Sequence, residues 1–319
     1  MSYLFLVLGF AILIIGGDLL VRGSSGLAIR AKISPLVVGL TVVSFGTSAP
    51  ELFASIQAAF MDFPNATDIS VGNVIGSNIA NLGLVLGITS LIFPLVTDPQ
   101  ILRQDWPMVM IASLAFFFFA LDGEISFIDG AIFLSSLIFL TVYLIARSMS
   151  KEKLKVLSVE ELKTYEKAAS QGYVKLFGLI AVGCAALYFG SKLFLDGAID
   201  IAKSHNISGH VIGVTIVAFG TSIPELAASV IAAFRKEADI SIGNLLGSNI
   251  FNILGVLGIT SMIKTLPVGA EVMSSDVFWM IGVAFILLPM IVFRKKIGRI
   301  DGLILLTIYI VYIVKLVLT

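Results

Sequence analysis

Two segments of this sequence occur twice, and this repetition limits the possible folds more than any other feature. Residues 37–60 align with residues 211–234 at 16 of 24 identical positions, and both read FGTSxPEL at their centre. Residues 70–92 align with residues 241–263 at 15 of 23 identical positions, and both contain GSNIxN. Self-similarity on this scale indicates an internal duplication, so the chain consists of two related halves.

Hydrophobic stretches of membrane-spanning length run through both halves. Hydrophobic residues make up 58% of the sequence and charged residues only 13%, which leaves too little polar surface for a soluble globular protein. A helical span needs about 20 mostly apolar residues, and no stretch alternates in the manner of an outer-membrane barrel strand. The sequence therefore predicts an all-α integral membrane protein with ten transmembrane helices, at 3–21, 36–60, 71–96, 106–121, 127–146, 173–195, 210–233, 242–266, 276–293 and 301–318.

Five spans in each half require the two halves to cross the membrane in opposite senses. We predict a first five-helix repeat over 1–147, a cytoplasmic connector over 148–171 and a second, inverted five-helix repeat over 172–319. Many secondary transporters are built from inverted repeats, and their binding sites lie near the bilayer midplane where the repeats meet.

The positions of the basic residues predict the orientation of the chain. With the N-terminus outside, 17 of the 21 Lys and Arg residues fall in or beside cytoplasmic loops, as the positive-inside rule requires. We therefore predict a multi-pass protein of the plasma membrane, with both termini outside, that functions as a monomer in the lipid bilayer. The formal net charge is zero, and we predict no nucleic-acid partner.

Four pairs of polar residues lie four positions apart within the repeated segments. Residues at this spacing share one face of a helix, so each half offers two short polar stripes on consecutive spans. A two-fold relation between the halves would bring the four stripes together. The pairs are Thr47 with Glu51, Ser77 with Asn81, Thr221 with Glu225, and Ser248 with Asn252.

Each GTSxPE motif also places a proline inside an apolar span. Pro50 and Pro224 lack an N–H and clash with the carbonyl one turn earlier, so we expect them to release backbone carbonyls from the helical hydrogen-bond pattern. Backbone oxygens released at this depth must face protein or a polar cavity. The candidates are the carbonyls of Ser44 or Phe45 in the first half and of Ala218 or Phe219 in the second.

The donor atoms of these motifs predict a site for hard cations. They are carboxylate, hydroxyl, amide and backbone oxygens, without His or Cys, and such ligands suit Ca²⁺ better than zinc or copper. An intramembrane carboxylate costs about 3 kcal/mol, and one Ca²⁺, two monovalent cations or two protons would neutralise the pair formed by Glu51 and Glu225. Competition between cations for one site is what an exchange mechanism requires.

Other interpretations apply to some of the repeated residues and to the chain as a whole. The glycines Gly72, Gly76, Gly243 and Gly247 are more typical of close helix packing than of binding. A cation channel would need a continuous pore, whereas two inverted halves give a single internal site. An intramembrane enzyme would need a nucleophile beside an acid–base pair, and the sequence supplies no such group of residues. We therefore predict a transporter that is not an enzyme and has no cofactor. The asparagines that suit ligation and interhelical hydrogen bonding equally are Asn73, Asn78, Asn244 and Asn249.

The paired GTSxPE and GSNIxN motifs resemble the α-repeats of the sodium/calcium exchanger family, within the calcium/cation antiporter superfamily. The resemblance covers the whole ten-span plan and is strongest to the compact prokaryotic and archaeal members. It implies electrogenic exchange of three Na⁺ for one Ca²⁺ by alternating access, as spans one and six slide over the other spans. The alternative is an antiporter that couples H⁺ to Ca²⁺, or to another divalent cation, through the same two glutamates; the many hydroxyls favour Na⁺.

The resemblance also implies which residues bind the transported Ca²⁺ and Na⁺. Asn252 stands where some members, including potassium-dependent exchangers, have Asp, which argues against K⁺ co-transport and leaves only two carboxylates. The other implied ligands are the carboxylates of Glu51 and Glu225, the hydroxyls of Thr47, Ser48, Ser77, Thr221, Ser222 and Ser248, the backbone carbonyls of Ser44 and Ala218, and the amide of Asn81.

Overall fold

Long apolar helices make up most of the residues that the computed structural model describes, which are 2–60, 66–97, 100–151, 171–205 and 220–318. Four two-residue strands connect some of them: β1 (Leu95–Val96), β2 (Glu124–Ile125), β3 (Leu266–Pro267) and β4 (Lys296–Ile297). In chain order the helices in this part of the chain are α1 (Ser2–Ala31), α2 (Pro35–Thr47), α3 (Ala49–Phe60), α4 (66–92), α5 (Ile101–Asp122), α6 (Phe127–Lys151), α7 (Tyr173–Ser204), α8 (Ile223–Phe234), α9 (Ala238–Ile263), α10 (Val272–Arg294) and α11 (Arg299–Leu318).

The length and composition of these helices confirm an all-α membrane protein. Eight of them are long and apolar enough to span a bilayer, and α2 with α3 forms a ninth candidate span that is bent by 43°. α8 is a shorter apolar helix of 12 residues. The first part of its predicted span, 210–219, lies outside the described residues, as does most of the predicted connector, 152–170.

Two helices extend well beyond their predicted spans. α1 continues from the predicted limit of 21 to Ala31, and α7 continues from 195 to Ser204. In α1 the guanidinium of Arg22 lies 2.9 Å from the carboxylate of Asp18, one turn away, so this charged turn remains helical. Hydropathy indicates where a helix leaves the bilayer, whereas backbone hydrogen bonding decides where the helix ends.

The contacts between the two predicted halves occur in matching pairs. β1 pairs antiparallel with β4, and β2 pairs antiparallel with β3, so each small sheet takes one strand from each half. Two close helix crossings match in the same way, because α4 meets α11 at Gly87 and Gly302 while α9 meets α6 at Gly258 and Gly130. An offset of 171 or 172 residues relates each contact to its counterpart. This pattern is typical of a two-fold relation between the halves.

α1 and α7 lie with their backbones in contact. A Cβ atom added to Gly9 would lie 2.4 Å from the backbone nitrogen of Phe194, and one added to Gly183 would lie 2.6 Å from the backbone nitrogen of Leu20. Small residues permit such close approach of membrane helices, where van der Waals contact replaces the hydrophobic effect as the attractive force. The two helices therefore pack as a unit against the remaining helices.

α2 crosses α9 just as closely, and this crossing brings the two halves together near their polar residues. Cβ atoms added to Gly243 or Gly247 would each lie 2.5 Å from a backbone oxygen of α2. The packing role predicted for these two glycines is therefore confirmed. Added Cβ atoms on Gly72 and Gly76 meet no described atom within 4 Å, and the segment that the repeat would set against them, 210–214, lies outside the described residues.

We expect Gly247→Ala to destabilise the protein, because its methyl group would meet the backbone of Leu40 at 2.5–2.8 Å and force α2 away from α9. Overpacking of this kind costs about 1–3 kcal/mol. Gly282→Ala in α10 is the matched control, since no described atom lies within 4 Å of its added Cβ. Thermal unfolding of the two purified variants measures the effect, and equal midpoints would contradict the close crossing.

Candidate functional site

The bend between α2 and α3 lies at Ser48, inside the GTSAPE motif. The backbone of Ser48 has φ −90° and ψ 5°, and Pro50 follows in the first turn of α3. The second half has the same geometry: Ser222 has φ −88° and ψ 4°, and Pro224 lies in the first turn of α8. Proline is tolerated in a first helical turn because those N–H groups have no partner within the helix. In the first half the motif therefore ends one helix and starts another, rather than kinking a continuous one, and in the second half it precedes the start of α8.

This geometry corrects the expectation that the Ser44 carbonyl is released from helical hydrogen bonding. The backbone N–H of Ser48 donates to it at 2.9 Å, so the carbonyl is not released from hydrogen bonding. The missing N–H of Pro50 affects the carbonyl four residues earlier, at Gly46. The Ser44 oxygen has a second polar neighbour, the Thr47 hydroxyl, at 3.4 Å. Ala218 and Phe219, the expected counterparts in the second half, lie outside the described residues.

Widened helical turns accompany the polar residues, and nothing in the sequence signals them. π-helical turns cover Gly39–Val43 in α2, Asn81–Val85 in α4 and Asn252–Leu257 in α9. A π-helical turn shifts the backbone hydrogen bonds by one residue and is frequent at functional sites. Two of these turns begin at the asparagines that end the predicted polar stripes, so the widening occurs where those side chains are presented.

The predicted site residues come from α2, α3, α4, α8 and α9, and the structure buries nearly all of them. Thr221 is half-buried. Glu51 and Glu225 are both 0% exposed, and their carboxyl groups are close enough to interact electrostatically. The other buried residues of the predicted set are Ser44, Thr47, Ser48, Ser77, Asn81, Ser222, Ser248 and Asn252.

Hydrogen bonds between the halves bring the polar stripes together. The Thr47 and Ser248 hydroxyl oxygens are 3.4 Å apart, and those of Ser77 and Thr221, their counterparts under the repeat, are 3.3 Å apart. Ser48 also donates to Oε1 of Glu225 at 3.0 Å. Every one of these contacts joins the first half to the second, so neither half forms the site alone.

Several buried polar atoms in this cluster have no hydrogen-bond partner among the described residues. Buried polar groups in proteins are nearly always paired, so an unpaired group calls for an explanation such as a bound ion or water. The described residues contain no group of three or more His, Cys, Asp or Glu suited to a metal ion. Apart from the two carboxyl groups, the oxygens of this cluster therefore belong to neutral hydroxyl and amide groups. The atoms are Glu51 Oε1 and Oε2, Glu225 Oε2, Ser222 Oγ, Asn81 Oδ1 and Nδ2, and Asn252 Oδ1.

Two of the four asparagines left open by the sequence, Asn78 and Asn244, form side-chain hydrogen bonds between helices, whereas the Asn249 side chain donates within its own helix. Oδ1 of Asn244 accepts from the Thr47 hydroxyl at 3.0 Å, and its Nδ2 donates to the hydroxyl of Ser229 at 3.1 Å. Oδ1 of Asn244 is the nearest of three acceptors around the Thr47 hydroxyl, and the others are the Ser44 carbonyl and the Ser248 hydroxyl, each at 3.4 Å. Ser229 was not predicted, although it belongs to the repeated segment 211–234, because its role depends on a contact with another helix.

A broken apolar span and a buried, oxygen-rich cluster between helices define the class of protein: a membrane transporter for small cations. The chain matches the family model described as sodium/calcium exchanger protein over residues 1–146 and 175–318. It therefore belongs to the sodium/calcium exchanger family, which confirms the resemblance drawn from the motifs. Members of this family are exchangers without a cofactor, so the prediction that the chain is not an enzyme is also confirmed.

Individual relatives match over nearly the whole chain. The sodium/calcium exchanger MaX1 of Methanosarcina acetivorans is 32% identical over 348 residues, which cover 99% of this chain and 98% of the relative. Inner membrane protein YrbG of Escherichia coli is 32% identical over 287 residues, covering 89% of this chain and 87% of the relative. A solved structure of the sodium-calcium exchanger NCX_Mj, soaked with zero Na⁺ and Ca²⁺, matches with a TM-score of 0.82 at 31% identity. That match covers 99% of this chain and 98% of the other.

We expect Glu51→Gln and Glu225→Gln each to weaken Ca²⁺ binding by about 100-fold, because Ca²⁺ affinity depends strongly on the number of charged ligands. Glu124→Gln, at an exposed strand residue, is the matched control and should bind as the wild type does. Binding of ⁴⁵Ca²⁺ to the purified, folded variants measures the effect. Wild-type affinity in either buried variant would refute a site shared by the two carboxylates.

Proposed function

We propose that this protein is a secondary antiporter that exchanges Na⁺ for Ca²⁺ across the membrane by alternating access. The observation that supports this most is the set of buried oxygens without partners around Glu51 and Glu225. Oxygen-only surroundings suit hard cations such as Ca²⁺ and Na⁺. The relatives support the same ions, since the names of MaX1 and NCX_Mj both specify sodium and calcium.

Charge neutralisation explains why occupancy by different cations is mutually exclusive. Two carboxylates buried in a membrane cost about 3 kcal/mol each and also repel each other. One Ca²⁺ cancels both charges, and so do two Na⁺, but the two kinds of cation compete for the same oxygens. A transporter that changes access only when this pair is neutralised must exchange one kind of cation for the other.

The neutral oxygens favour Na⁺ over H⁺ as the coupled ion. A proton needs only a carboxylate, whereas Na⁺ needs several oxygens around it. The hydroxyls of Thr47 and Ser248 lie near Glu225, and that of Ser77 lies near Glu51, so each carboxyl has neutral oxygens beside it. Antiport of H⁺ against Ca²⁺, or against another divalent cation, through the same two glutamates is the alternative.

We assign the ion ligands as the motifs imply. Asn252 contributes an amide rather than a third carboxylate, and for this reason we propose that exchange is independent of K⁺. Exchange of three Na⁺ for one Ca²⁺ would move one net charge per cycle, worth about 2.3 kcal/mol per 100 mV. The assigned ligands are Ser44 and Ala218 through their backbone carbonyls, and Thr47, Ser48, Glu51, Ser77, Asn81, Thr221, Ser222, Glu225, Ser248 and Asn252 through their side chains.

The proposed arrangement in the membrane is ten spans in two inverted five-helix repeats, 1–147 and 172–319, joined by a cytoplasmic connector over 148–171. The strand pairing supports it. With both termini outside, the loops that carry β1 and β4 lie on the cytoplasmic side and those that carry β2 and β3 lie outside, so paired strands share a side. We propose that the protein resides in the plasma membrane and functions as a monomer, since one chain supplies both halves of the site.

Uptake of ⁴⁵Ca²⁺ into proteoliposomes loaded with Na⁺, at equal pH on both sides, tests the coupled ion. We expect uptake that requires the outward Na⁺ gradient, is unchanged when choline replaces K⁺, and increases with an inside-positive potential because net positive charge leaves with Na⁺. Empty liposomes and Glu51→Gln serve as controls.

The possible outcomes separate the two candidate functions. Uptake that follows a pH gradient and ignores Na⁺ would replace Na⁺ with H⁺ as the coupled ion. Absence of Ca²⁺ uptake under either gradient, from a protein that binds Ca²⁺ when purified, would refute Ca²⁺ antiport.

A further inference from the structure

We propose that Asn78 is a positioning residue that turns the side-chain oxygen of Asn252 toward the bound cation. This proposal rests on the proposed function, because it takes Asn252 to be one of the residues that surround the transported ion. Asn78 itself does not contact the ion. It acts through a chain of hydrogen bonds that ends at a backbone carbonyl.

The chain of hydrogen bonds runs from α9 to α4 and back to α9. Nδ2 of Asn252 donates to Oδ1 of Asn78 at 3.1 Å. Nδ2 of Asn78 in turn donates to the backbone carbonyl of Asn249 at 3.2 Å, and it lies 3.6 Å from the sulfur of Met280. The two side chains are 1% and 0% exposed, so water has little access to these bonds.

The backbone carbonyl determines the direction of the whole chain. The oxygen and nitrogen of an asparagine amide have nearly the same shape, so their positions follow from the partners. A backbone carbonyl can only accept, so Asn78 must present its nitrogen to Asn249. Its oxygen then faces Asn252, which must offer a nitrogen in return. The oxygen of Asn252 is thereby left free, and it has no hydrogen-bond partner among the described residues.

This orientation matters because the wrong amide atom would repel a cation. An amide oxygen is a good ligand for Ca²⁺ or Na⁺, whereas an NH₂ group presents two positively polarised hydrogens. Asn252 lies four residues after Ser248, so its side chain belongs to the face of α9 that meets Thr47. Groups that orient a ligand in this way typically change metal affinity by about 10–100-fold when they are removed.

The other half of the molecule does not repeat this arrangement. Asn249 is the counterpart of Asn78 at an offset of 171, but its Nδ2 donates to the carbonyl of Leu245 within its own helix, at 2.8 Å. Asn81, the counterpart of Asn252, has no hydrogen-bond partner for either amide atom among the described residues. The pseudo-symmetric molecule therefore has one oriented amide and one that the described hydrogen bonds leave unoriented.

We expect Asn78→Leu to weaken Ca²⁺ binding about tenfold, because it removes the acceptor that holds Nδ2 of Asn252 away from the ion. Asn249→Leu is the matched control, equal in size and related to Asn78 by the repeat, and it should change affinity less than about twofold. Binding of ⁴⁵Ca²⁺ to purified protein is the measurement, since it does not depend on the coupled ion. If Asn78→Leu lacks a cooperative thermal transition, Asn78→Ala takes its place.

A double-mutant cycle with Asn252→Asp separates orientation from packing. A carboxylate has two equivalent oxygens and needs no orientation, so Asn78→Leu should cause no loss of affinity when Asp occupies position 252. A loss of similar size in both backgrounds would mean that Asn78 acts only through packing, and no loss in either would mean that it does not act at all. Either result overturns the proposal.

The proposal and the proposed function fail in different ways. If wild-type protein binds Ca²⁺ but Asn78→Leu behaves as Asn249→Leu does, the positioning role is refuted while Ca²⁺ antiport stands. If wild-type protein does not bind Ca²⁺, the proposed function fails first and the positioning role fails with it.

Discussion

Two carboxyl groups buried side by side in a membrane are the constraint on which the rest of this structure depends. Glu51 and Glu225 are both fully buried, and three of their four oxygens have no hydrogen-bond partner among the described residues. If both groups are ionised, each charge loses its hydration and repels the other, so the pair is costly in any apolar environment. In the proposed function, cations neutralise the pair, and the surrounding polar residues hold oxygens ready for those cations.

The backbone around the carboxyls makes this arrangement possible. A helix break at Ser48 and the helix start that follows Ser222 place each glutamate in the first turn of a helix. Glycines at the crossing of α2 and α9 let the two halves approach within backbone contact, and that approach brings Thr47 to Asn244 and Ser248. A larger residue at the crossing would separate the two parts of this cluster, so helix packing at these glycines determines whether the cluster can form.

The duplication did not produce two equal half-sites. The hydroxyl contacts that join the halves occur in matching pairs, but Ser48 bonds to Glu225 whereas Ser222 has no partner among the described residues. The amides differ as well, since Asn252 is held by Asn78 while Asn81 is not held by any described hydrogen bond. For the proposed function, this asymmetry suits a site that must accept cations of different charge.

Much of the architecture follows from the sequence alone. Hydropathy determined an all-α membrane protein, the repeat indicated two related halves, and the GTSxPE motifs located both glutamates, because each of these signals is local or compares one segment with another.

The tertiary structure decided which residues meet. In the folded chain, the Ser229 hydroxyl accepts a hydrogen bond from the Asn244 amide, and the Ser44 carbonyl accepts one from the Ser48 N–H. π-Helical turns begin at Asn81 and Asn252. It also directed Asn78 toward Asn252 although its counterpart Asn249 bonds within its own helix. The physical reason is that the direction of a hydrogen bond depends on partners from distant parts of the chain, and identical residues in a repeat acquire different partners once the halves pack together.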